Sequence, residues 1–434
     1  MQTLSETGPA GSLVQTRAPL RLRNLGLAVA AGLLVTGIVF HTYYISVDPP
    51  WLEGLRQLGI VFILLETLVL SVALARGMTV AGVAGGLRRP DKVALAIFLA
   101  CFLPGGVLFS EIASTATSLS LVMVLHMLFA CAIWHSLEGV DEASVDGFAR
   151  VLLAAMLCYV PLLVWTFVFP PEHIDPYNHV WQFALPGFIS VRTFGAFTGA
   201  LAAFLVALAL CRRDRGPVPA WLLVAVTIAG GLTIWSGTRA AIVGVGVSLV
   251  ATAFLLRWRF DSATIAKLVA CLVVAVVGAV ALQPYGDAAF QLYAETDGAS
   301  GDAVTGGRLS YWSDVLNAIG RYPLFGAGSA ASSWALAEGS QQHVQPHNII
   351  LQFLLSWGAI ATAAALFLIG RATIAAHAVA RQHILAVPFL AMVYCLLVNS
   401  LFDGTFYFAR HLMLIMLGYG VIFAIARTRG AGEA

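Results

Sequence analysis

An all-α polytopic membrane protein, with about 12 transmembrane helices and one long loop containing an amphipathic helix, is the fold class that three features of the sequence predict. First, of 434 residues 59% are hydrophobic and only 11% are charged, whereas a soluble domain of this size carries roughly a quarter charged residues. Second, apolar runs close to the ~20 residues needed to cross the hydrocarbon recur along the whole chain. Third, Lys and Arg gather in alternate connections. Lipid offers no hydrogen bonds to open backbone, so the spans must be helices or a closed barrel. The runs are too long and too continuously apolar for barrel strands.

The chain opens on a polar stretch, residues 1–16, which reads as disordered, within a tail over 1–24. Arg17, Arg21 and Arg23 then precede the first apolar run. This resembles the start of a signal peptide, but many spans follow and no cleavage site is evident, so the run reads as an uncleaved first helix. Nine helices fill 25–283, with spans at 25–43, 54–75, 92–109, 115–136, 149–169, 195–211, 218–236, 240–256 and 265–283. A large loop covers 284–345. Three more helices fill 346–426, with spans at 346–370, 384–402 and 408–426, and a tail covers 427–434.

Eighteen of the 24 Lys and Arg residues fall on one side of these spans. The positive-inside rule makes that side cytoplasmic. Both termini are then inside, and the large loop is periplasmic. Six arginines remain on the outer side: Arg56, Arg192, Arg239, Arg308, Arg321 and Arg410. Insertion works against positive charge there, so each needs a reason. Anchoring a helix end or pairing with a carboxylate serves for Arg56, Arg321 and Arg410. An anion site serves better for the other three.

Arg239 lies in SGTRAA, between two apolar runs with almost no loop, where small neighbours leave room for a ligand. A charge near the hydrocarbon is a functional candidate, against the alternative of snorkelling to headgroups. Arg308 opens the helix read from GGRLSYWSDVLNAIGRYPLFGAG. Leu309, Trp312, Val315, Leu316 and Ile319 share one face of that helix, and Gly320 and Pro323 end it. Helix N-termini favour anions through their free N–H groups. Arg192, in SVRTFGAF, follows a loop over 170–194 rich in aromatics and proline. The planar guanidinium fork suits phosphate oxygens bidentately, and three arginines on one face suit a diphosphate.

QQHVQPHNIILQFLLSWGAIA brings two histidines to the start of the tenth span. His343 and His347 are four apart, as in a helical metal pair, but Pro346 lies between them and neither HExxH nor a cysteine partner is present. No metal site is expected. Pro346 fits a first helical turn, which puts His347 at the outer mouth of the span, where a neutral imidazole can take a proton. A histidine hydrogen-bonded at the interface is the bland alternative. Asn348 caps or orients its neighbour. Asp403, in LFDGTFYFARH, ends the eleventh span and can pair with an outer arginine or orient His347. Glu66 lies mid-span in VFILLETLVL, where it bonds neighbouring helices or belongs to a proton path. The six cysteines sit in or beside apolar runs without CxxC spacing, which argues against disulfides and zinc.

SGTRAA, GRLSYWSDVLNAI…PLFGAGSA and QPHNIILQFLLSWGAIA, in that order around one long outer loop, resemble the O-antigen ligase and polymerase superfamily. By motif the resemblance covers residues 230–360, and by span count the whole chain. The nearest likeness is to the O-antigen ligases (WaaL type) of Gram-negative inner membranes. That resemblance implies a glycosyltransferase that moves polysaccharide from undecaprenyl diphosphate to a sugar hydroxyl of lipid A–core. It implies motif arginines at Arg239 and Arg308, a further arginine at Arg192 and an essential histidine at His347, with an acidic residue near Asp403. It also implies no cofactor, metal or nucleotide, membrane lipids as surroundings and no nucleic-acid partner. The rival within the superfamily is the polymerase, which uses a second lipid-linked glycan as acceptor. A protein oligosaccharyltransferase is expected to carry a longer C-terminal soluble part. A lipid-linked saccharide transporter is expected to show inverted repeats and Gly/Pro-broken helices, neither of which stands out in the sequence; Glu66 is its best support.

Overall fold

The computed structural model describes residues 20–44, 59–169, 185–188, 190–212, 216–282, 308–336 and 345–430. Arg56, His343, the chain start, most of the 170–194 loop and residues 283–307 and 337–344 around the amphipathic helix lie outside these residues. The described residues form 14 α-helices: α1 (Leu22–Tyr44), α2 (Ile60–Ala75), α3 (Val80–Gly86), α4 (Arg89–Leu108), α5 (Ala113–Ser136), α6 (Glu142–Val168), α7 (Val191–Leu210), α8 (Ala220–Trp235), α9 (Arg239–Leu255), α10 (Ser262–Ala281), α11 (Arg308–Arg321), α12 (Ile349–Gln382), α13 (Val387–Asn399) and α14 (Ala409–Gly430). Eight are long and apolar enough to cross a membrane, and α2 with α3, bent by 88°, makes a ninth. Three shorter apolar helices lie at 220–235, 239–255 and 384–399. Among the described residues, each of the twelve expected spans overlaps one of these helices.

The bundle is organised around α7. Of its residues within the candidate span, 94% are buried, and eight of the buried residues of the helix are glycine or alanine. Small side chains let helix backbones approach closely in lipid, where burying apolar surface gives no advantage. The N-terminus of α7 is set by Ser190, whose hydroxyl accepts from Thr193 N–H at 3.3 Å in a reciprocal capping box. Helix α7 packs on α8, α9 and α13, while α14 packs on α5 and α13, and α12 on α4.

Helix α12 is broken, which the apolar pattern of its sequence does not signal. Gly358 has φ 70° and ψ 178° within it. The segment Pro323–Gly328, after α11, lies in the break and satisfies the exposed backbone on both sides. Ala327 and Gly328 donate to the carbonyls of Leu355 and Ser356 at 2.8 and 2.9 Å, and Ala359 donates to Pro323 at 2.8 Å. Irregular backbone at membrane depth persists only where protein supplies such partners. A Cβ on Gly358 would overlap the Leu324 carbonyl, and an L residue in this left-handed region is strained besides. Gly358→Ala therefore lowers the melting temperature and the yield of folded protein in detergent. Gly370→Ala, in the same helix with nothing within 4 Å of its new methyl, leaves both unchanged; equal effects of the two would refute the role of the break.

The amphipathic helix is rotated from its expected face. Tyr311, Val315 and Ala318 are buried, and Trp312 and Ile319 pack against them. Leu309 and Leu316 are instead more than half exposed, at 51% and 55%. The reason is that the helix leans on its own C-terminal loop and the first turns of α12, with Ala327, Ala331, Ala335 and Leu355 completing this small core.

Candidate functional site

His347 does not begin the helix, as Pro346 suggested. Helix α12 starts at Ile349 with Asn348 as its N-cap, and Pro346 and His347 precede it. Asn348 accepts from Ile350 and Leu351 N–H at 2.9 and 3.1 Å and donates to the Leu401 carbonyl at 3.0 Å. One side chain thus caps α12 and ties it to the turn after α13. Ile349 N–H donates to Ser400 at 2.8 Å and reinforces the tie. The chain reverses at His347, whose φ is 53°, a left-handed conformation that costs a non-glycine residue energy. The Trp312 indole N–H donates to the Pro346 carbonyl at 2.8 Å and fastens α11 to the same turn.

These ties bring His347 to Asp403. His347 Nδ1 lies 3.0 Å from Asp403 Oδ1, which also accepts from Gly404 N–H at 2.8 Å. Asp403 is buried, and burial alone would raise its carboxyl. The hydrogen bond and charge of His347, the Gly404 N–H and the charge of Arg192 outweigh that, holding it at about 2. An ionised carboxylate at Nδ1 favours the tautomer with the proton on Nδ1, so that Nε2 is the basic nitrogen. This is the orientation logic of a histidine–carboxylate pair in general-base chemistry.

The three arginines expected to bind an anion all occupy the first turn of a helix. Arg192 is the second residue of α7, Arg239 the first of α9 and Arg308 the first of α11. Thr238 draws Arg239 toward Arg192: its hydroxyl donates to the Val191 carbonyl at 3.2 Å. Gly195 permits the approach, since a Cβ there would strike the Ser236 and Thr238 hydroxyls. Arg308 is near enough for the charges of Arg192, Asp403 and Arg239 to act on it. Its pKa is lowered by burial first and then by the two arginines, while Asp403 pulls the other way. Among the described residues, none of the three arginines has a carboxylate within ion-pair distance. At the opposite end of the bundle, Arg212 pairs with Asp146 and Arg371 with Asp91. A cluster of guanidiniums beside helix N-termini, lacking such partners among the described residues, can hold a polyanion.

The other singled-out residues have structural partners. Arg321 donates to the Ala335 carbonyl and closes the loop after α11. Arg410 is buried, donates to the Gly187 carbonyl and lies 4.4 Å over the Phe188 ring, a cation–π contact in a dry setting. Neither contact is to a carboxylate. Glu66 meets His126 of α5 at 2.6 Å, both fully buried, although the two groups are not aligned as in a good hydrogen bond. This links α2 to α5, in line with the helix-bonding reading of Glu66. One residue beside His347 escaped sequence reasoning. Gln345, 3% exposed, places Oε1 2.6 Å from His347 N–H and Nε2 2.9 Å from His347 Nδ1. A glutamine in a polar stretch carries no signal that it will fold back on the next but one residue.

Residues 223–366 match the family described as O-antigen ligase. The O-antigen ligase of Pseudomonas aeruginosa (strain PAO1) is 24% identical over 247 residues, 57% of this chain and 55% of that protein. The chain thus spans about half the length of the curated relative it matches. The matched family segment contains Arg239, Arg308 and His347, whereas Arg192 and Asp403 lie outside it and join the cluster through the fold.

Proposed function

We propose, for a chain whose residues 223–366 match the family described as O-antigen ligase, that the cluster at His347 transfers polysaccharide from undecaprenyl diphosphate to a sugar hydroxyl of lipid A–core. The observation that carries this reading is that three arginines without ion-pair partners among the described residues lie near enough for the charges of Arg192 and Arg239 to act on Arg308, and that of Arg192 on Asp403, the buried carboxylate that orients His347. In this reading the site faces the periplasm from a Gram-negative inner membrane with both termini cytoplasmic, an orientation that the Lys and Arg distribution supports.

Arg192, Arg239 and Arg308 bind the diphosphate and neutralise the charge that grows on it as it departs, stabilising the transition state through preorganised cations. Nε2 of His347 accepts the proton of the acceptor hydroxyl. That oxygen forms a bond to the anomeric carbon while the bond from carbon to the diphosphate oxygen breaks, and the leaving group takes the electron pair. Direct displacement inverts the anomeric centre. The proton then passes from His347 to the free diphosphate or to water. Asp403 holds the ring and stabilises its transient charge. The donor is already activated as a diphosphate, so no nucleotide or metal is needed.

Purified protein given lipid-linked polysaccharide and lipid A–core therefore forms the conjugate in chelator without nucleotide; a requirement for either metal or ATP would contradict the mechanism. A pH test follows from the lowered carboxyl of Asp403. Its ionisation is complete above the ordinary value of 3.8 and is lost only as pH falls through about 2. Across pH 5–9 Asp403 does not titrate, so any acid limb of the rate in that window persists in Asp403→Asn at reduced amplitude. Loss of the limb in that variant would assign it to Asp403 and refute this division of roles.

A further inference from the structure

The geometry points to Gln345 as a positioning residue for His347, an inference that rests on His347 being the base. A single amide grips the same residue twice. Oε1 accepts the backbone N–H of His347 at 2.6 Å, and Nε2 lies 2.9 Å from its ring Nδ1. The first contact holds the backbone at φ 53°, a conformation that persists only where its surroundings over-determine it. The second is a hydrogen bond only when Nδ1 carries a lone pair, and with Nδ1 protonated the amide only packs against the ring edge. Asp403 supplies one partner at Nδ1 from across the fold, and Gln345 supplies the local one.

Both partners address the same ring nitrogen, which carries either a proton or a lone pair in the ring plane. With the proton present, Nδ1 donates to Asp403. With it absent, Nδ1 accepts from Gln345 and the proton sits on Nε2. The carboxylate is the stronger partner because its hydrogen bond is charge-assisted. In the base-competent tautomer Gln345 therefore positions His347 through its backbone N–H, while Asp403 keeps the proton on Nδ1. The Gln345 side chain is in turn confined by Gly404, where a Cβ would overlap its terminal amide. Gly404 itself has φ −77° and ψ 37°, outside the left-handed region, so alanine there meets no such backbone penalty; what it meets is Gln345.

This supplies two independent ways to disturb the same contact. Full-length Gln345→Ala, Gln345→Met, Gly404→Ala and the double variant Gln345→Ala/Gly404→Ala are compared in the conjugation assay, normalised to folded protein. Gln345→Ala and Gly404→Ala each lower kcat by roughly 10- to 100-fold, the scale of a misplaced catalytic group, with little change in the KM for either substrate. The double variant is no worse than the poorer single one, because the methyl added by Gly404→Ala no longer has an amide to displace. In ¹⁵N-histidine-labelled protein, the ring signals that vanish in His347→Ala shift in Gln345→Met and Gly404→Ala. A glutamine that served only to fold the loop would lower melting temperature while leaving kcat per folded molecule and these signals in place, and that result overturns the inference. If His347→Ala retains transfer, the base assignment falls first. If His347→Ala is inactive while all Gln345 and Gly404 variants keep full kcat, only the role of Gln345 is lost.

Discussion

His347→Ala lowers turnover by about 10²–10⁴-fold, the range that a positioned general base contributes, while the protein still folds and reaches the membrane. Folding should survive because His347 precedes α12 rather than lying in it, and the helix keeps its own cap, Asn348, and its ties to Ser400 and Leu401. The loss falls on kcat, since in the proposed mechanism the imidazole acts on the acceptor proton and not on the diphosphate. In cells the variant accumulates unconjugated lipid A–core, visible as loss of the long-chain ladder on a gel. Normal long-chain lipopolysaccharide at normal protein level would remove His347 from the mechanism. Asp403→Asn is the milder companion. It keeps the shape of the pair and removes the charge that favours Nδ1–H, so it reduces turnover without matching the alanine variant.

The second large effect concerns the arginines. Removing one preorganised group that stabilises charge in a transition state typically costs about 10²–10³ in kcat. Arg239→Ala and Arg308→Ala should each fall in that range, with weaker donor binding as well, since the diphosphate is charged before it leaves. Arg308 sits under the repulsion of Arg192 and Arg239, and a bound polyanion relieves that repulsion. The same reasoning predicts that lysine recovers only part of the loss, because it restores charge but not the bidentate fork. Unchanged donor affinity and turnover after both charges are removed would contradict the assignment of these residues to the diphosphate.

Much of the fold was legible because lipid imposes a simple rule: about twenty apolar residues must form a helix, and charge marks the ends. Arg239 and Arg308 stood out for the same reason, as cations where insertion disfavours them. Their meeting was not legible. It depends on Gly195 letting the Ser236–Thr238 turn close on α7 and on Trp312 reaching Pro346, contacts between segments far apart in sequence. The break at Gly358 was hidden because SWGAIA is uniformly apolar, and a glycine is ordinary in a membrane helix. Only the fold shows that Pro323–Gly328 supplies the missing hydrogen bonds. Pro346 misled in a definite way: it suits a first helical turn, but here it sets the reversal at His347, and Asn348 takes the cap. The rotated face of α11 has a similar cause, because periodicity identifies an apolar stripe but not which neighbour claims it.

The central claim is that this site joins a lipid-linked polysaccharide to lipid A–core. The most direct measurement offers purified, reconstituted protein a labelled undecaprenyl diphosphate–linked polysaccharide with two competing acceptors, lipid A–core and a second lipid-linked glycan, and identifies the product by mass. Label should appear on lipid A–core in wild type and be lost in His347→Ala. Label that instead lengthens the second lipid-linked glycan, or that crosses the vesicle membrane without being joined to either acceptor, would contradict it.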